Sequence, residues 1–180
     1  MLRPQLEHII RASAAITGAP EFVIIGSQAL LGQFPDAPEE LLVSIEADVF
    51  SLRDPADSDL IDGSIGEGSP FHQTFGYYAH GVSVETAVLP EGWRHRLIPI
   101  HNQHTGGGTG LCLEIHDLAV SKLVAGREKD LGFISGLLRH RFILVETIRA
   151  RLKATVLPPD RLDMCCARLE RLARERDKKP

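Results

Sequence analysis

Glu46 and Asp48 stand two residues apart in an alternating stretch, residues 41–50 (LLVSIEADVF). Val43, Ile45, Ala47 and Val49 fall on one side of an extended chain, and Ser44, Glu46 and Asp48 fall on the other. Two carboxylates one strand repeat apart repel each other, and a divalent cation removes that repulsion. Oxygen ligands on a rigid strand suit Mg²⁺ or Mn²⁺. An antiparallel strand whose polar side meets water shows the same alternation, so the pair by itself leaves both readings open. A third carboxylate lies in a second alternating run, residues 82–88 (VSVETAV). There Val82, Val84 and Val88 share one side, and Ser83, Glu85 and Ala87 share the other. If the two strands are neighbours, Glu85 stands beside Glu46 and Asp48.

A phosphate seat is the second candidate. Residues 21–25 (EFVII) read as a short apolar strand buried on both faces, and they run directly into Gly26-Ser27 and a short helix over residues 28–31. Glycine lets the backbone approach a ligand, and serine can cap the helix and offer a hydroxyl beside free N–H groups. A plain serine N-cap has the same signature. The glycines of residues 53–70 suggest a nucleotide loop, but no Gly-Lys-Ser/Thr follows, so a P-loop is excluded. His101 and His104 have metal-like spacing in a flexible turn, where no nearby His or Cys completes a set; a solvated loop is the reading.

The remaining elements must position these residues. Residues 4–17 read as a helix, with Leu6, Ile9, Ile10 and Ala14 near one face and Gly18 and Pro20 closing it. Residues 53–70 read as loop with room for a short helical turn, residues 71–79 as a helix or turn, and residues 96–100 as a strand. From Glu114 the period is helical: Ile115, Leu118, Ala119 and Leu123 gather on one face, and Lys122, Gly126 and Lys129 lie on the same stripe. A lysine in an apolar stripe needs an anion or an exit to solvent. One or two helices follow over residues 133–148, with a break at His140-Arg141. Residues 160–176 form a last, arginine-rich helix before a frayed end at residues 177–180. This is an α/β (α+β) arrangement: a mixed sheet flanked by helices over residues 1–113, and a helical region over residues 114–180.

Composition bounds the class. With 180 residues, 43% hydrophobic and 24% charged, the chain can bury a substantial core. No apolar run approaches a membrane span, and residues 1–18 form an amphipathic pattern broken by Glu7 and His8, not a signal peptide. Cys112, Cys165 and Cys166 make neither a disulfide framework nor a metal spacing, so a reduced, cytoplasmic chain is expected. The net charge of −4 conceals an asymmetry: five basic residues face sixteen acidic ones through Ser121, and fifteen face eight from Lys122 onward. That split fits a basic tail meeting nucleic acid or another anionic partner. It equally fits acidic and basic halves packed together.

The order of these features resembles the nucleotidyltransferase superfamily, the polymerase-β-like fold. Glu46-Ala47-Asp48, residues 89–93 (LPEGW) and residues 116–130 (HDLAVSKLVAGREKD) resemble more closely a bacterial family of uncharacterised nucleotidyltransferases (DUF6036-like), related to AbiE-type toxin components. The resemblance covers roughly residues 5 to 140, and the run at 116–130 is its most specific part. It implies that Gly26 and Ser27 contact the phosphates of an NTP and that Glu46 and Asp48 bind Mg²⁺ or Mn²⁺. Glu85 would complete the metal site and activate the acceptor hydroxyl, while Lys122 and Lys129 would steady the triphosphate. Here Glu46 occupies the place where the family's first carboxylate is usually Asp.

The expected activity is transfer of a nucleoside monophosphate from an NTP to a hydroxyl of RNA or protein, with a toxin–antitoxin pair as the setting that the resemblance suggests. Two other readings stay open. One is a module that keeps the fold without the chemistry and binds a partner, such as a cognate toxin or antitoxin. The other is a one-metal hydrolase using the same carboxylates.

Overall fold

In a computed structural model describing residues 1–178, the chain forms two compact units. The first joins Met1–Thr86 to Arg96–Glu114; the second joins Ala87–His95 to the chain from Ile115 onward.

The first unit opens with helix α1 (Arg3–Thr17), which buries Leu6, Ile9 and Ile10 and ends at Gly18, where φ is +68°. Strand β1 (Glu21–Ile24) follows, then β2 (Glu46–Ser51), helices α2 (Ala56–Ile65) and α3 (Pro70–Phe75), and strands β3 (Tyr78–Gly81), β4 (Ile98–Ile100) and β5 (Thr109–Cys112). The strands make one sheet in the order β3-β2-β1-β5-β4. β1 runs antiparallel to β2 and parallel to β5; β2 runs parallel to β3, and β4 antiparallel to β5. β1 is the middle strand, so both its faces are covered and Phe22, Val23 and Ile24 are all fully buried. The mixed sheet with flanking helices is the α+β architecture expected from the sequence.

Three boundaries differ from expectation, each for a physical reason. The alternating stretch at 41–50 becomes a strand only from Glu46; Val43 and Ile45 are 78% and 46% exposed. Upstream of β2 the carbonyls of Leu42 and Ser44 are satisfied outside any ladder. The Met1 ammonium donates to the carbonyls of Leu42 and Ser44 at 2.6 and 2.7 Å, and the Gln28 side-chain amide donates to Ser44 at 2.9 Å. Residues 56–65, expected as loop with room for a short helical turn, form the ten-residue helix α2. Its first turn carries Asp57 and Asp59, which favour a helix N-terminus, and Ile61 and Ile65 are buried one turn apart. The expected strand at 82–88 does not form. The ladder lies earlier, at Tyr78–Gly81, and Val84–Thr86 is a 3₁₀ turn closed by a hydrogen bond from Thr86 N–H to the carbonyl of Ser83.

The second unit is helical: α4 (Ile115–Ala125), α5 (Glu128–Arg139), α6 (Val145–Lys153) and α7 (Pro159–Lys178). Gly126, at φ +65°, separates α4 from α5. A Cβ there would lie 2.1 Å from the Arg168 guanidinium of α7, which donates to the carbonyl of Leu123 at 2.7 Å. The expected break at 140–141 is present, and Arg141 adopts φ +58° there. Arg149 pairs with Glu146 on its own helix and with Glu170 of α7. α7 continues through Lys178; the rest of the expected frayed end, residues 179–180, lies outside the described residues. No helix among the described residues is long and apolar enough to cross a membrane.

Candidate active site

The register of β2 against β3 decides which side chains share a face. Glu46 pairs with Tyr78, Ala47 with Ala79, Asp48 with His80, and Val49 with Gly81. Because side chains alternate, Ala47, Val49, Ala79 and Gly81 form one surface, and Glu46, Asp48, Tyr78 and His80 the other. Helix α2 covers the first. The carbonyl oxygen of Ser58 lies 1.9 Å from where a Cβ on Gly81 would be, so only glycine admits the helix there. Ser58 also donates its hydroxyl to the carbonyl of Val82 at 2.8 Å. The opposite surface carries the acidic pair.

On that surface the imidazole Nδ1 of His80 lies 3.3 Å from Asp48 Oδ1 and 3.7 Å from Glu46 Oε1. The phenol of Tyr78 donates to Glu46 Oε2 at 2.9 Å. Glu46, Asp48 and His80 each offer one ligand atom within 4.8 Å of the others, the one such cluster among the described residues. Burial, reinforced by the hydrogen bond and charge of Glu46, raises the pKa of Asp48 from the usual 3.8 to about 6, against the opposing pull of His80. Burial and the Glu46 carboxylate push the Tyr78 phenol up to about 12, so it remains a donor at neutral pH. Two crowded carboxylates and an imidazole, half open to solvent, fit a divalent cation. Such an ion would supply the charge whose lack leaves Asp48 hard to ionise.

The turn after β1 reaches the same place. Gly26 precedes a 3₁₀ turn over Ser27–Gly32, and Ala29 N–H closes onto the Gly26 carbonyl at 3.0 Å. A Cβ on Gly26 would lie 2.2 Å from Asp48 Oδ2. At φ −81° any residue fits the backbone, so glycine is required here for space, not conformation. Gly26 and the Asp48 carboxylate are therefore in van der Waals contact. A family model described as "Nucleotidyltransferase of unknown function (DUF6036)" matches residues 5–157.

The chain belongs to this nucleotidyltransferase family. Neither a curated protein nor a solved structure matches it. Membership in a nucleotidyltransferase family implies a nucleotide substrate, and it sets the other expected site residues in context.

Glu46, Asp48, Gly26 and Ser27 are brought together on the first unit. Glu85 is not placed with them. It sits on the exposed 3₁₀ turn after β3, where its own backbone N–H and the Ser83 side chain hold its carboxyl below the usual range. The third position beside the acidic pair belongs to His80, which spacing alone did not single out. Its signal lies in residues 77–81 (YYAHG), where Tyr78 and His80 alternate with Ala79 and Gly81.

Lys122 and Lys129 belong to the second unit. Lys122 is buried in α4; its ammonium donates to Asp130 Oδ1 at 3.1 Å and lies 4.8 Å from the centre of the Phe133 ring. The anion that this lysine requires is thus supplied by the chain. Burial alone would raise the Asp130 pKa, but hydrogen bonds from Arg127 and Lys122 and the charges of both outweigh it and hold the carboxyl below the ordinary range. Lys129 is exposed on the first turn of α5. His101 binds the backbone carbonyl of Gly108 and the Thr109 hydroxyl, each at 3.1 Å, within its own turn.

Proposed function

We propose that this chain transfers a nucleoside monophosphate from an NTP to a hydroxyl group of RNA or protein, with Glu46 and Asp48 holding a divalent cation, Mg²⁺ or Mn²⁺. The observation that carries the reading is the contact between the Gly26-Ser27 turn and the carboxylate of Asp48. In a nucleotidyltransferase family, a turn for phosphates and a pair of acids for a cation must be neighbours, and here they touch.

The cation, when bound, would screen phosphate charge and stabilise departing pyrophosphate. The protein's own contribution is orientation and exclusion. Tyr78 fixes one oxygen of Glu46 and leaves the other directed at the shared face. Asp48, largely sheltered between Gly26 and His80, holds its oxygens with little freedom to turn away. Gly26 keeps the backbone close enough for N–H groups of the turn to meet a phosphate. Glu85 has no part in this arrangement, and the Lys122–Asp130 pair serves the helical unit. The setting we propose for this activity is toxin-like, with RNA or a protein as acceptor and a cognate partner restraining it.

The test is incubation of the full chain with Mg²⁺ or Mn²⁺, each labelled NTP and total RNA or a protein extract. Incorporation that disappears in Asp48→Ala supports the enzyme. No incorporation and no NTP binding would overturn it and leave a partner-binding module of the same fold.

A further inference from the structure

We propose that His80 is a direct cation ligand and that it shifts the preference of the site from Mg²⁺ to Mn²⁺; this rests on the reading of Glu46 and Asp48 given above. Mg²⁺ dehydrates reluctantly and takes oxygen donors almost exclusively, whereas imidazole nitrogen suits transition-metal ions. A site of two carboxylates alone accepts Mg²⁺ or Mn²⁺, and a nitrogen donor on the same face shifts the balance toward Mn²⁺.

The geometry supports a shared ion. Around a cation with ligands at about 2.1 Å in octahedral array, adjacent donors are about 3 Å apart and opposite donors about 4.2 Å. His80 Nδ1 stands 3.3 Å from Asp48 Oδ1, near the adjacent spacing, and 3.7 Å from Glu46 Oε1, between the adjacent and opposite spacings. All three donors approach from one side, because β2 and β3 are in parallel register with Asp48 opposite His80. Two features hold the imidazole there independently of its charge. Gly81 admits the carbonyl of Ser58 and pins the end of β3, and Gly81 N–H bonds Asp62 Oδ1 at 3.3 Å. The Tyr78 hydrogen bond occupies Glu46 Oε2 and leaves Oε1 toward His80. The competing arrangement is a simple hydrogen bond from Nδ1–H to Asp48, which would leave the nitrogen unavailable to metal.

The experiment uses the full chain with Mn²⁺ alone as probe. Free Mn²⁺ is followed by its electron spin resonance, and Mg²⁺ is titrated in as competitor. Spin-echo modulation then reports whether a ¹⁴N nucleus is bonded to the protein-bound ion. The proposal expects ¹⁴N modulation in the wild type and its loss in both His80→Ala and His80→Asp. It also expects the Mn²⁺-over-Mg²⁺ preference of His80→Asp to fall by roughly tenfold or more, since that variant restores an all-oxygen set. The wild-type spectrum decides the matter even if a variant folds poorly. Saturable Mn²⁺ binding that is abolished by Asp48→Asn but shows no ¹⁴N modulation overturns the role of His80 and leaves the carboxylate site standing. No saturable Mn²⁺ binding in the wild type overturns both.

Discussion

Replacing Asp48 by Asn should make the cation-free protein more stable at neutral pH. The pKa of Asp48 is raised from 3.8 to about 6, opposite to the direction of a salt-bridged carboxylate. A group whose folded pKa lies above its unfolded one contributes stability that is complete below the unfolded value and lost as pH rises through the folded one. Asp48 therefore favours folding below about pH 4 and works against it above about pH 6. A rise of that size corresponds to about 3 kcal/mol. The side chain retains 27% exposure and is screened accordingly, so about 1–3 kcal/mol is the working figure. Asparagine keeps the shape and removes the charge. Urea unfolding with chelator present should show Asp48→Asn more stable than wild type by that amount at about pH 8, with the gap closing toward about pH 4.5. Adding Mn²⁺ at about a hundredfold excess over its Kd should return about 2.7 kcal/mol to the wild type and little to the variant. An Asn variant that is less stable than wild type in mild alkali, or a gap that does not change with pH, would refute the account of two crowded acids awaiting a cation.

Three further outcomes are expected. Gly26→Ala should drive the Asp48 carboxylate aside, because the new Cβ would start 2.2 Å from Oδ2; Mn²⁺ affinity in the spin-resonance titration should fall roughly tenfold while the melting temperature moves by only a few degrees. Asp130→Ala should destabilise the chain by about 3 kcal/mol in urea unfolding, because it removes the acidic partner of buried Lys122. With its pKa lowered in the fold, Asp130 contributes stability above the ordinary carboxylate range that is lost as pH falls, so the gap between the two proteins should narrow in acid. Glu85→Gln, on an exposed turn, should leave Mn²⁺ affinity unchanged within error, and a loss comparable to that of Asp48→Asn would return Glu85 to the site.

Elements with a strong period were legible from residue order. Helix α1, the buried strand β1, and the alternation of Glu46 and Asp48 against Ala47 and Val49 all followed from spacing. Helix α2 was hidden by Gly63 and by its aspartates, which read as turn residues until their placement in a first turn is known. The strand expected at residues 82–88 lies elsewhere for a subtler reason. Residues 82–88 are richer in valine than residues 78–81 and outscore them as a strand, yet strand formation depends on a partner edge more than on propensity. Tyr78–Gly81 meets that edge because Gly81 lets α2 sit against the sheet, a contact that no local pattern encodes. Lys122 was recognised as needing an anion; that the anion is Asp130, eight residues on, depended on the turn at Gly126 folding α5 back.

The closeness of Gly81 to the Ser58 carbonyl also governs how this surface can change over time. Because strand side chains switch sides at every residue, the acid-bearing face is fixed by parity. With Gly81 held against Ser58, deleting or inserting one residue between Tyr78 and His80 would turn Tyr78 toward the α2 side and take its hydroxyl from Glu46. Homologues should therefore keep the spacing from Tyr78 to Gly81 or change it by two residues, with one-residue changes confined to the chain ahead of Tyr78.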